Sequence, residues 1–255
     1  MAKKKSKPLS GRKIAWALLA VTVIGFLSWW WYKSTLPDFI RYDAFGIDIP
    51  TEFSIHGIDV SKYQERINWG AVKEMEVRDV QIRFAFIKAT EGLGNMDACF
   101  KRNWEKAGEA GLPRGAYHFF IAPKSGAEQA ENFIRRVELA KGDLPPVLDV
   151  EQTYGVSSDK LRTEVHAFLD RLETHYGVKP IIYTNVEFYN RYLKDEFDQY
   201  PLWVAHYLKK DRPRIARTWA FWQYSESGNV NGIRGQVDFN VFNGDSTEFQ
   251  DLLID

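Results

Sequence analysis

The chain has 255 residues, 45% hydrophobic and 27% charged, proportions that exclude a disordered or fibrous protein. Its formal charge is zero, but residues 1–13 carry six basic side chains and no acid, so the remaining 28 basic residues face 34 acidic ones and a nucleic-acid-binding body is excluded. The single cysteine, Cys99, rules out an intrachain disulfide and reads as a buried structural thiol.

Behind the basic tip, residues 14–32 read IAWALLAVTVIGFLSWWWY, without a charge. As a helix rising ~1.5 Å per residue the run spans about 28 Å, close to the ~30 Å of a hydrocarbon core. The cluster Trp29-Trp30-Trp31-Tyr32 suits a membrane interface. No small-residue cleavage site follows. The segment therefore predicts an uncleaved transmembrane signal anchor, with the N-terminus cytoplasmic and the body extracytoplasmic, in the periplasm or cell envelope. Residues 33–53 are expected to be a juxtamembrane linker, and 54–255 the folded domain.

From there strands and helices alternate. IHGIDVS (55–61) reads as a strand and Trp69–Val77 as a helix. FAFIKAT (84–90) is a second strand, and Phe100, Trp104 and Ala107 mark a helix stopped by Gly111 and Pro113. GAYHFFI (115–121) is a third strand; Ser125 and Glu128 then form a capping-box pattern. VLDVE (147–151) is the fourth, followed by an amphipathic helix through Leu161, Val165, Phe168, Leu172 and Tyr176. PIIYTN (180–185) and a short helix near 187–193 come next. PLWVAHY (201–207), WAFWQYS (219–225) and VDFNVF (237–242) then follow with no helix between them. Such alternation predicts a parallel sheet covered by helices, and eight strands suffice to close it. The expected fold is α/β: a TIM-like β/α barrel of the (β/α)5(β)3 type, preceded by one transmembrane helix.

The stretch PPVLDVEQ (145–152) carries the chemistry. Side chains alternate along a strand, so Asp149 and Glu151 share a face with Val147, about 6–7 Å apart at Cα. Barrel enzymes hold reactive groups at the C-terminal strand ends. Two buried carboxyls are costly unless they are bonded or one keeps its proton. A neutral acid beside an ionised one is what glycosidic bond cleavage needs, although such a pair can also cap a loop or hold an arginine. Asp59 near the end of the first strand and Glu91 at the end of the second point to the same mouth. Closure brings Asp238 of the last strand beside Asp59, although Asp238 lies early in its own strand. Tyr63, Tyr117, Tyr183, Trp203 and Trp222 lie near strand ends and are candidates to line a sugar cleft. No histidine spacing suggests a metal and no cofactor motif occurs; a serine-hydrolase elbow is also missing.

HGIDVSKYQERINW (56–69), FAFIKATEG (84–92), AGLPRGAYHFF (110–120), PPVLDVEQ, IIYTN (181–185), LWVAHY (202–207), FWQYS (221–225) and VDFNVF together resemble, in order, the family 25 glycoside hydrolases, the Chalaropsis-type lysozymes. The likeness runs over about residues 56–243. It implies an N-acetylmuramidase that cuts the β-1,4 bond between N-acetylmuramic acid and N-acetylglucosamine, with peptidoglycan strands as its partner. It implies Glu151 as general acid and Asp149 as the group steadying the 2-acetamido function or the oxocarbenium charge. Asp59 and Asp238 would orient the site and tune its pKa values, and Tyr63 and Tyr183 would bind sugar. Asn95-Met96-Asp97 departs from a family that often has an aromatic before its Asp. A silent glycan-binding barrel and a glycosidase for another N-acetylated glycan remain the alternatives. The sequence leaves the oligomeric state open.

Overall fold

The computed structural model describes residues 11–35, 38–207 and 212–255; residues 1–10 of the expected basic tip lie outside the described residues. The chain divides into two compact units, residues 1–38 and 39–255. The first contains helix α1 (Gly11–Thr35). Among the described residues no helix is long and apolar enough to cross a membrane, which corrects the expected transmembrane anchor at 14–32. Its apolar run is diluted by the indoles of Trp16, Trp29, Trp30 and Trp31 and by the hydroxyls of Thr22 and Ser28.

The second unit opens with an antiparallel hairpin, β1 (Phe39–Tyr42) and β2 (Ile47–Pro50). It continues through β3 (His56–Val60), α2 (Trp69–Glu74), β4 (Glu76–Val77), β5 (Val80–Glu91), β6 (Asn95–Met96), α3 (Phe100–Glu109), β7 (Arg114–Phe119) and α4 (Gly126–Ile134). β8 (Val147–Asp149), α5 (Ser158–Tyr176), β9 (Ile181–Asn185), α6 (Val186–Phe188), β10 (Leu202–Ala205), β11 (Phe221–Gly228), β12 (Val237–Phe242) and α7 (Ser246–Leu252) complete it. Cys99 is half-buried just before α3, less covered than the buried thiol expected.

Eight strands close on themselves in the order β3, β5, β7, β8, β9, β10, β11, β12 and back to β3. Neighbours from β3 to β11 are parallel, whereas β12 is antiparallel to both β11 and β3. The core is thus a mixed, β-barrel-like closed sheet, which corrects the TIM-like (β/α)5(β)3 barrel expected from strand–helix alternation. The reason is chain length: a parallel crossover needs a dozen or more residues, and only 229–236 separate β11 from β12. The chain therefore turns straight back.

Side-chain alternation gives the barrel two cores. Phe84, Phe86, Val147, Ile181, Trp203, Phe221 and Phe242 fill the inside. Ile58, Ala85, Ile87, Leu148, Val150, Ile182 and Val204 face outward, packed with Phe133, Val165, Phe168 and Leu172 of the helices. Large and small residues are matched inside. A Cβ at Gly57 would stand 2.4 Å from the Phe84 ring, and one at Gly115 2.5 Å from Phe86. The hairpin packs on the outer layer, with Phe39 edge-on to Trp222 at 6.0 Å and Phe45 against Phe239 at 5.3 Å.

Candidate active site

The C-terminal ends of the parallel strands and the N-terminal end of β12 share one mouth of the barrel. Because β12 is antiparallel, its early residue Asp238 stands directly opposite Asp59 in register. Their carboxyls are hydrogen-bonded. Burial, then the charge of Asp59, pushes Asp238 up to about 9, so it stays protonated at neutral pH and donates to Asp59. Burial also lifts Asp59, against donors that favour its charged form. Asp59 Oδ2 accepts from Gln223 Nε2 at 2.7 Å and from Asn240 Nδ2 at 2.8 Å.

Those two amides are held in turn. Asn240 Oδ1 accepts from the Trp203 indole at 2.7 Å. An indole can only donate, so the Asn240 NH2 must face Asp59. Gln223 Oε1 accepts the hydroxyls of Tyr183 at 2.8 Å and Tyr207 at 2.5 Å, which leaves the Gln223 NH2 for Asp59 as well. The network thus fixes one oriented carboxylate at the mouth.

Asp149 ends β8 with Val147 on the barrel's inner face, and Glu151 lies two residues further on. Asp149 is buried and Glu151 half-buried. Burial, then the neighbouring Glu151, raises Asp149 well above the usual carboxyl range, while Lys88 opposes the shift. Burial raises Glu151 too, against its hydrogen bond with Asp149. Two close acids in a dry site cannot both ionise cheaply, so the pair retains one proton. Asp149 Oδ1 has no hydrogen-bond partner. An unpaired buried acceptor is costly, and here it faces a site built for chemistry.

Lys88 lines the same mouth. Its ammonium bonds Glu91 Oε2 at 2.7 Å and lies 4.6 Å from the centroid of the Phe119 ring; Phe119 is the register partner of Asp149. Beneath the acids Trp203 stacks on Phe86 at 4.2 Å and meets Tyr183 at 4.4 Å. Tyr117 is edge-on to Trp203 at 6.4 Å. Burial, then the charges of Asp59, Asp149, Asp238 and Asp97, raises its pKa far above that of an ordinary phenol. Tyr63 stands on the rim with 79% of its surface exposed. Asp97 ties down the turn that carries it, accepting Lys62 N–H through Oδ2 and Cys99 N–H through Oδ1, both at 2.9 Å.

The mouth therefore brings together Asp59, Asp238, Asp149, Glu151, Glu91, Tyr63, Tyr117, Tyr183 and Trp203. It does not include Trp222. That ring is wholly buried in the outer layer, against Phe39 and Phe53, and its indole donates to the His206 carbonyl at 3.0 Å. Lys88, Gln223, Asn240 and Tyr207 were missed from sequence. For Gln223 and Asn240 a signal existed: each is a polar residue two positions from an inward residue, in the strands FWQYS and VDFNVF.

A closed barrel with four carboxyls at one mouth, in two pairs that each hold a proton, suits a glycoside hydrolase. The model of the glycosyl hydrolases family 25 matches residues 58–233. YegX of Escherichia coli (strain K12) is 47% identical over 207 residues, 81% of this chain and 76% of that protein. Lysozyme M1 of Streptomyces globisporus is 38% identical over 205 residues, 74% of this chain and 68% of that protein. A family 25 glycosyl hydrolase from Bacillus anthracis superposes with a TM-score of 0.74 at 34% identity, over 84% of this chain and all of its own. The chain belongs to glycosyl hydrolase family 25, and it is an enzyme.

Proposed function

We propose that the enzyme is an N-acetylmuramidase that hydrolyses the β-1,4 bond between N-acetylmuramic acid and N-acetylglucosamine in peptidoglycan. The observation that carries this reading is the Asp149–Glu151 pair with its one retained proton, set at the same mouth as Asp59, whose Oδ2 is oriented by the Gln223 and Asn240 amides. Lysozyme names among the relatives support the substrate.

Glu151, the more exposed of the pair, takes the shared proton from Asp149 and delivers it to the glycosidic oxygen as the bond to the anomeric carbon breaks. The pair passes from one negative charge to two at the moment the sugar carbon becomes positive, so charge develops where it is stabilised. Asp149 offers its unpaired Oδ1 to the 2-acetamido N–H and steadies that group. Water then supplies the hydroxyl to the anomeric carbon, directly or after the acetamido oxygen has held it, and its proton returns to Glu151. Asp59, with Asp238 as its proton-bearing partner, sets the field around the pair. Tyr63, Tyr117 and Glu91 line the cleft, while Tyr183 and Trp203 support it from below. A peptidoglycan substrate supports a place of work in the cell envelope.

The test is to digest purified peptidoglycan with the full chain and identify the new reducing ends. Muramic acid ends are expected, and Glu151→Gln should cut their release by about 10²–10⁴-fold, the usual contribution of a general acid. Glucosamine ends, or none, would contradict the proposal.

A further inference from the structure

The loop between Glu151 and α5 holds a side chain that this chemistry does not use. Tyr154 has φ +51°, a left-handed backbone that bulky residues rarely adopt. Its neighbours impose the turn: Val156 N–H donates to the Thr153 carbonyl at 3.1 Å, and Gly155 N–H to Thr153 Oγ1 at 3.3 Å. Ser157 then caps α5 by accepting Lys160 N–H at 3.2 Å. Among the described residues the Tyr154 ring has no aromatic or cationic partner, and it is 45% exposed. Strain held at a half-exposed side chain with no ring or cation partner is not explained by such contacts, and such outliers gather at working sites.

The surroundings of Tyr154 are those of the acid pair. Partial burial, then the charges of Glu91, Asp149 and Glu151, raise the pKa of its hydroxyl, so all three carboxyls lie within electrostatic reach. Among the described residues of 39–255, three other large apolar side chains are exposed: Tyr63, Leu93 and Met96. Tyr63 follows β3, Leu93 and Met96 belong to the turn and strand after β5, and Tyr154 follows β8, all at the mouth. That turn is held in place by Asn132 Nδ2, which donates to the Gly92 carbonyl at 2.8 Å. Exposed apolar surface gathered at one end of a molecule marks a binding surface.

We propose that Tyr154 is a substrate-binding residue whose ring stacks on the apolar face of an N-acetylhexosamine held against Asp149 and Glu151, and that the left-handed turn serves to present it. The identity of the sugar rests on the muramidase reading; the stacking itself requires only a pyranose.

The test uses the full chain and purified peptidoglycan, with binding read by co-sedimentation and turnover by reducing ends. Tyr154→Asn removes the ring and keeps the turn, since Asn tolerates the left-handed region. It should bind about tenfold more weakly and raise KM about tenfold, the loss expected of one aromatic contact. Its kcat should fall less than about threefold and its Tm should not drop, because the backbone strain is relieved. Tyr154→Trp should recover most of the lost affinity. Equal binding by Tyr154→Asn and wild type, or no binding by either, overturns the proposal, as does a loss that tracks a lowered Tm without rescue by Trp. A wild type that binds peptidoglycan yet releases no muramic acid ends would instead sink the muramidase reading and leave the stacking standing.

Discussion

Lys88 is the cation that moderates the acid pair. It opposes the upward shift of both Asp149 and Glu151, so its removal must raise both. Lys88→Met should therefore move the alkaline limb of the kcat/KM profile to higher pH, because the working proton is kept longer. An unmoved limb, or one shifted downward, would show that Lys88 does not act on the pair. Asp238 makes a second prediction, about stability. Its folded-state pKa of about 9 lies above the ordinary 3.8. Between those values the folded chain holds a proton that the unfolded chain has released, so this contribution is full at low pH and is lost as pH rises through 9. Asp238→Asn cannot ionise. Its Tm should fall less between pH 5 and 9 than that of the wild type, as thermal melts across that range would read; an identical slope would contradict the assignment.

At the scale of elements, inner-layer packing and the tethers at the mouth make the site. Gly57 leaves room for Phe84, and Gly57→Ala should cost about 1–3 kcal/mol through overpacking, seen as a lower urea midpoint. Trp222 serves the outer layer, so Trp222→Ala should destabilise by about 3–5 kcal/mol without a specific rise in KM; a KM effect at unchanged stability would return it to the cleft. Strand β8 was legible from sequence because its period-2 pattern was interrupted only by acids. The hairpin at 39–50 was not. Its two four-residue strands are too short to stand out, and its packing on Trp222 and Phe239 is a tertiary effect. Helix α2 stops at Glu74 instead of Val77 because Met75 turns extended and leads into β4.

For the whole molecule, sequence order carried the closure of the sheet and the convergence of Asp59, Asp149, Glu151 and Asp238, but not strand direction. Period-2 patterning looks the same for parallel and antiparallel strands, so the reversal of β12 was hidden in the length of one loop. That reversal explains how an acid early in its strand reaches the same mouth as acids late in theirs. The orientation of Gln223 and Asn240 was likewise beyond the sequence, since it depends on what their carbonyls accept across the barrel.

Proton delivery by Glu151 is the step on which the account turns, and leaving-group chemistry tests it most directly. Wild type and Glu151→Gln should be compared on peptidoglycan and on a dinitrophenyl β-glycoside of an N-acetylglucosaminyl-N-acetylmuramic acid disaccharide, whose phenolate departs without a proton. If Glu151 is the acid, the variant loses about 10²–10⁴-fold on peptidoglycan and stays within about tenfold of wild type on the activated glycoside. Equal losses on both substrates would contradict that role.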